Sequence, residues 1–176
     1  MRGAGDGARG AKGRPVSAQA FEVMRILAWG LAATAVLTAI SFAAQNLGWS
    51  RMNFPLLLGA LFTGERAAAN VLGFVLYLLG GWVIALLYYV LFALLGRGGW
   101  AIGLAAGVVH GLLLLTVLLP LMPYVHPRMA SEFDGPDSRR RLEPPGFLAL
   151  HYGLRTPLVL LAAYAAYGTI LGAGYG

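Results

Sequence analysis

Val71 to Leu95 reads VLGFVLYLLGGWVIALLYYVLFALL, twenty-five residues without one charge. At about 1.5 Å of rise per residue, about twenty apolar residues cross a bilayer core of about 30 Å. The stretch therefore decides the solvent: this chain belongs in a membrane. A segment in hydrocarbon must satisfy every backbone N–H and C=O internally, which selects the α-helix.

Three further stretches approach that length. Ile26 to Ala44 is nineteen residues, longer than a secretory-signal core, although Ser41-Phe42-Ala43 has the form of a small-x-small cleavage site. Trp100 to Leu119 follows the tight turn Gly96-Arg97-Gly98-Gly99, which predicts antiparallel neighbours for the second and third spans. Pro120 and Pro123 are expected to end or kink the third helix. In the fourth, Arg155 interrupts the apolar pattern, and Thr156-Pro157 has the form of an N-cap followed by a first-turn proline. That span crosses if Arg155 snorkels to the headgroups.

The expected fold is an all-α integral membrane four-helix bundle, with spans at about 26–45, 71–95, 100–120 and 150–172. They form one domain over residues 21–176, after a basic, glycine-rich tail over residues 1–20. Between the first two spans, the apolar core Phe54 to Phe62 is only nine residues, too short to cross. Asn53 ahead of Pro55 marks a helix start. A short interfacial or re-entrant helix is expected there, with Trp49 at headgroup depth.

Composition agrees. The chain is 59% hydrophobic and 11% charged, with mean hydropathy +0.71, where soluble domains carry about 25% charged residues. The absence of cysteine excludes disulfides, thiolate metal sites and thiol catalysis. The net charge of +6 is not arranged as an aromatic-interleaved groove, so no nucleic-acid partner is expected. Arg9, Lys12 and Arg14 of the tail, and Arg139, Arg140 and Arg141 before the fourth span, are expected to meet lipid phosphates or a partner surface. Six Lys/Arg fall on the tail side and seven on the opposite side, so the positive-inside rule nearly cancels. With the first helix setting orientation, both termini are expected in the cytoplasm.

Small residues recur at four-residue spacing. Gly99, Gly103, Gly107 and Gly111 make one stripe, Gly168 and Gly172 a second, and Gly30, Thr34 and Thr38 a third. Each is a face where a neighbouring helix backbone can press close.

Residues able to carry chemistry are few. His110, mid-span, is the one ionisable residue well inside the membrane and a functional candidate on that ground. As a structural group it is expected to hydrogen-bond Thr34, Thr38 or Thr116. A bis-histidine heme with His151 would need both rings at one depth, and the spacing puts them about 9 Å apart vertically. His151 and Arg155, four residues apart, could share a helix face and hold a lipid phosphate or quinone head. His126, Glu132, Asp134 and Asp137 lack the spacing of a cation loop, so no metal is expected. No Gly-x-Ser-x-Gly, HExxH or intramembrane carboxylate pair is present, so no enzyme activity is expected.

The segments LLLGALFTG, LGFVLYLLGGW, GVVHGLLLLTVLLPLMPYVHPRM, GFLALHYG and YGTILGAGY occur in that order. Over residues 25–175 they resemble a family of small bacterial four-helix membrane proteins of no known activity. The resemblance implies a bacterial inner-membrane location and carries over no functional residue. The expected role is a non-enzymatic accessory subunit of a larger membrane complex, respiratory or photosynthetic, packed through the glycine stripes or as a homo-oligomer. The alternatives are an oligomeric permease with His110 on its pathway, or a subunit binding heme, pigment or quinone.

Overall fold

The structure, a computed structural model, describes residues 16–130 and 142–176. They form helices α1 (Val16–Asn46), α2 (Phe54–Gly59), α3 (Arg66–Leu95), α4 (Trp100–Leu113), α5 (Leu119–Val125) and α6 (Thr156–Tyr175). Four stretches are long and apolar enough to cross a membrane: Ala20–Asn46, Arg66–Leu95, Trp100–Val125 and Thr156–Tyr175. This is an all-α, multi-pass four-helix bundle.

Capping chemistry sets several of the ends. Asn53 accepts the Leu56 N–H at 3.0 Å and starts α2, with Pro55 in its first turn. The Glu65 carboxylate accepts the N–H groups of Ala67 and Ala68 at 2.8 and 2.7 Å. That cap starts α3 at Arg66, one turn before the apolar run at Val71. Gly96 closes α3 in the left-handed conformation at φ 65°.

The prolines do not end the third span. Pro120 has no N–H for the Thr116 carbonyl, and its ring would crowd that oxygen in a regular helix. A π-helical turn over Leu114–Leu118 resolves the conflict: the Leu119 N–H reaches back five residues to the Leu114 carbonyl. The helix then continues to Val125 with Pro123 inside it.

The fourth span also differs from expectation, because regular helix begins at Thr156 rather than near residue 150. Phe147–Tyr152 winds in 3-10 turns, with Leu148 and Ala149 held left-handed at φ 55° and 57°. Gly153 at φ 130° then breaks the chain direction. Thr156 is not the cap; Arg155 occupies that position, and the buried Thr156 hydroxyl donates to Ser50 Oγ at 3.0 Å.

The central helix is α6. Buried residues make up 44% of its apolar stretch, against 17% for α3. It packs on α4 along one face and on α1 along another, while α1 packs on α3. The α3 and α4 helices, joined by the tight turn, diverge and barely touch. The expectation that they pack as antiparallel neighbours fails, because the glycine stripe of α4 docks on α6 instead.

Two contacts explain that preference. A Cβ built on Gly103 would lie 2.1 Å from the Gly168 carbonyl oxygen, and one on Gly107 2.2 Å from that of Tyr164. The Gly99 N–H also donates to the Gly172 carbonyl at 3.0 Å. A second close approach seats α2: Cβ atoms on Gly59 and Gly73 would fall 1.8 Å from the Ala69 oxygen and 1.7 Å from the Pro55 oxygen. The short helix is thus pressed against the first turns of α3 rather than lying free on the membrane surface, and Leu57 reaches the core beside Leu115, Leu119 and Leu160.

Candidate functional site

The divergence of α3 from α4 leaves a cavity of about 280 Å³ between them, backed by α6 and closed toward the α2 end by Leu57 and Leu58. Its walls are apolar apart from Thr34, Tyr77 and the cluster around His110. There the ring nitrogen Nδ1 stands 3.2 Å from the Tyr88 hydroxyl, bridging the two helices through side chains. The imidazole packs edge-on against Tyr164 at 4.6 Å between centroids, and Tyr88 meets Tyr167 at 5.7 Å. Tyr167 donates to the Gly81 carbonyl at 2.7 Å.

This differs from the expected His110 environment. Thr34, Thr38 and Thr116 each donate to the carbonyl four residues back in their own helix, at 2.8, 2.6 and 2.7 Å. A threonine satisfied by its own backbone has no need of an imidazole. Tyr88 serves instead, because a tyrosine on α3 reaches across a gap that a threonine cannot span. Among the described residues, His110 Nε2 and the Tyr164 hydroxyl carry no hydrogen-bond partner. Both residues line the cavity, and each keeps a polar group with hydrogen-bonding capacity to spare.

The chemical range of this arrangement follows from the imidazole. When Tyr88 donates to Nδ1, Nε2 carries the proton and is a donor; when Nδ1–H donates to Tyr88, Nε2 is an acceptor. The pair can therefore meet either a carbonyl or a hydroxyl. Toward the far end the bundle closes, where Tyr88, Phe92, Tyr167 and Leu171 form a buried cluster flanked by Ile102 and Tyr175.

The other candidate residues lie elsewhere. His151 sits in the 3-10 segment with Nδ1 at 2.9 Å from the Pro144 carbonyl. Arg155 stacks over Trp49 at 5.3 Å. The break at Gly153 keeps His151 and Arg155 off a common helix face, so the spacing argument for a shared headgroup clamp does not hold. His151 and His110 share no contact, and no bis-histidine site is assembled. Of the helix-packing candidates, Gly30 meets Ala85 and Trp82, Thr34 meets Gly81, and Gly111 meets Tyr164 and Leu161. Thr38 lines a groove between α1 and α3 instead. Arg9, Lys12, Arg14, Glu132, Asp134, Asp137, Arg139, Arg140 and Arg141 lie outside the described residues.

At the end of the bundle opposite the start of α1 and the end of α6, the connections knit into a polar cap. His126 Nε2 is 3.0 Å from the Leu57 carbonyl, and Arg128 donates to the Ala60 carbonyl at 2.6 Å, covering the C-terminal end of α2. The Arg51 guanidinium bonds the His151 carbonyl and pairs with Glu143 at 3.3 Å. Tyr152 donates to the Glu143 carbonyl at 2.6 Å. Burial, with the Glu143 carboxylate nearby, pushes the Tyr152 hydroxyl up to about 12 against the opposing pull of Arg51.

No protein-family model, curated protein or solved structure matches this chain.

Proposed function

We propose that this multi-pass membrane protein is a non-enzymatic binding protein for a quinone-class ring compound, held between α3 and α4 beside His110. The carrying observation is His110 on the wall of a mid-bundle cavity, its Nδ1 engaged by Tyr88 outside the lining, with His110 Nε2 and the Tyr164 hydroxyl unpartnered. A quinone carbonyl accepts from these groups and a quinol hydroxyl donates to the other imidazole tautomer. The apolar walls take the rest of the molecule, and ligand pockets span about 300–1,000 Å³, placing this cavity near the lower end. The location is the bacterial inner membrane with both termini cytoplasmic, a reading supported by the first helix and the family resemblance.

The accessory-subunit reading drew on glycine stripes offered to partner helices. With Gly103 and Gly107 occupied by Gly168 and Tyr164, its support is the outward face of α3, where Val71, Val83 and Leu94 are exposed. Lipid covers such a face equally well. For a permease, the cluster at Phe92 and Leu171 blocks the route beyond His110.

The test is titration of the purified protein in nanodiscs with decylubiquinone, read by quenching of tryptophan fluorescence. Saturable quenching is expected, weakened about tenfold by His110→Leu or by Tyr164→Phe, the worth of one lost hydrogen bond. Absence of saturation, or undiminished binding by His110→Leu, overturns the proposal. Co-purification of a stoichiometric membrane complex in mild detergent would favour the accessory role instead.

A further inference from the structure

The cavity beside His110 is walled on every side but one. Past the Tyr88–His110 pair, Phe92 and Leu171 fill the bundle. Toward the polar cap, buried Leu57 closes it beneath the carbonyls held by His126 and Arg128. Thr34 and Leu37 of α1 and Tyr167 of α6 stand behind it, all buried. The remaining side is the gap between α3 and the third span, two helices that barely touch. Among the described residues that line the cavity, Gly80 on α3 and Leu118 on the third span are the two that are exposed.

Helix register puts those two residues opposite each other. The Tyr88–His110 contact fixes which depths correspond, and the two helices run in opposite directions. Gly80 lies eight residues from Tyr88, and Leu118 eight from His110. At about 1.5 Å per residue, both therefore stand about 12 Å from the pair, on the same side of it. Leu118 is also seven residues short of the end of its span at Val125, roughly 10 Å inside the helix. The opening between Gly80 and Leu118 thus faces acyl chains rather than water. Its rim is cut back on the α3 side, where a Cβ built on Gly80 meets nothing within 4 Å. On the opposite rim the π-helical turn ends at Leu118, a distortion that recurs at functional sites.

We infer that the site is loaded from the bilayer through this window, and that its ligand is a quinone with a long isoprenoid tail lying in the window and the lipid outside it. This rests on the quinone reading and adds to it the route and the tail. Size supports the tail. The cavity, about 280 Å³, falls just below the range of about 300–1,000 Å³ usual for drug-sized ligands. It has room for the ring at His110 and the start of the tail, and the rest leaves between Gly80 and Leu118. That part of the tail is in hydrocarbon both before and after binding, so its length adds little to affinity.

Stopped-flow quenching of tryptophan fluorescence in nanodiscs, with decylubiquinone and ubiquinone-10 as the probes, tests this. The two should bind with the same Kd when concentration is expressed as mole fraction in the bilayer. Gly80→Phe puts a ring into open space at the rim, so the thermal transition should persist. Association and dissociation should both slow by about tenfold with Kd unchanged, as a raised entry barrier requires. Leu118→Phe, on the opposite rim, should slow both in the same way. Val83→Phe, on the exposed face of α3 outside the cavity, should alter neither rate. Exclusion of ubiquinone-10, unchanged rates in both rim variants, or a Kd that weakens as much as association slows would each overturn the inference, while saturable binding to the unaltered protein would leave the quinone reading standing. Absence of saturable binding to the unaltered protein would overturn both.

Discussion

Gly103 and Gly168 are reciprocal: a Cβ built on either would lie 2.1 Å from the carbonyl oxygen of the other. No side chain fits such a contact, because the opposing atom is backbone and cannot rotate away. Gly103→Ala should therefore destabilise the bundle by about 1–3 kcal/mol, the usual range for overpacking, and Gly103→Leu by more. Leu113, half-exposed on the same span, provides the contrast. Thermal unfolding in detergent should show a large drop for both glycine variants and little for Leu113→Ala. Equal tolerance would make the four-residue spacing incidental.

Topology can be read with single cysteines, since the chain has none of its own. Arg97→Cys lies in the turn between α3 and α4, and Ser138→Cys in the connection between α5 and α6. The two should react with an impermeant maleimide from opposite faces of the membrane. With a cytoplasmic N-terminus, Arg97→Cys is protected in intact cells and Ser138→Cys is not. Labelling of both from one face would contradict four crossings.

The α2 helix ends on carbonyls held by His126 and Arg128. Removing either leaves a buried acceptor unpaired, at a cost of about 1–3 kcal/mol. His126→Ala and Arg128→Ala should raise hydrogen exchange over residues 54–64 at least about tenfold while leaving exchange in α6 unchanged, since a 1.4 kcal/mol loss is a factor of ten. Uniform acceleration across the chain would mean that α2 opens only with the whole bundle.

Tyr152 links stability to high pH. Its hydroxyl titrates near 12 in the folded protein against about 10 in an unfolded chain. The folded state thus holds the proton more tightly, so this contribution is complete below pH 10 and is lost as pH rises from 10 through 12. Tyr152→Phe should flatten that decline. At pH 7 it should instead cost about 0.5–1.5 kcal/mol, from the bond to the Glu143 carbonyl. An unaltered alkaline profile would show that the burial of Tyr152 does not govern it.

Much of the architecture was legible because hydrocarbon leaves so few choices. Apolar length located all four spans, and Asn53-x-Pro55 located α2. What escaped was decided by pairwise contact. Gly59 and Gly73 sit in unremarkable sequence and disclose their docking only once α2 folds back on α3. The glycines of α4 announced a close partner without saying which, and the tight turn suggested α3 when α6 fits better. Pro120 read as an end or a kink, and the π-helical turn that accommodates it leaves no composition signal. At the site, His110 stood out as a lone ionisable residue, but its link to Tyr88 crosses between helices that barely touch. The excess of tyrosines in α3 and α6 was the available sign. The break at Gly153, which separates His151 from Arg155, depends on left-handed Leu148 and Ala149, residue types that do not advertise that conformation.

Because α6 is the helix on which α1 and α4 both pack, the bundle cannot close in the order in which a ribosome delivers it. The first three spans reach the bilayer before their common partner has been made, with the glycine face of α4 and the Trp29 face of α1 still bare. Assembly must wait for the last twenty or so residues of the described chain, and for that interval the bare faces are the ones a membrane chaperone would have to shield.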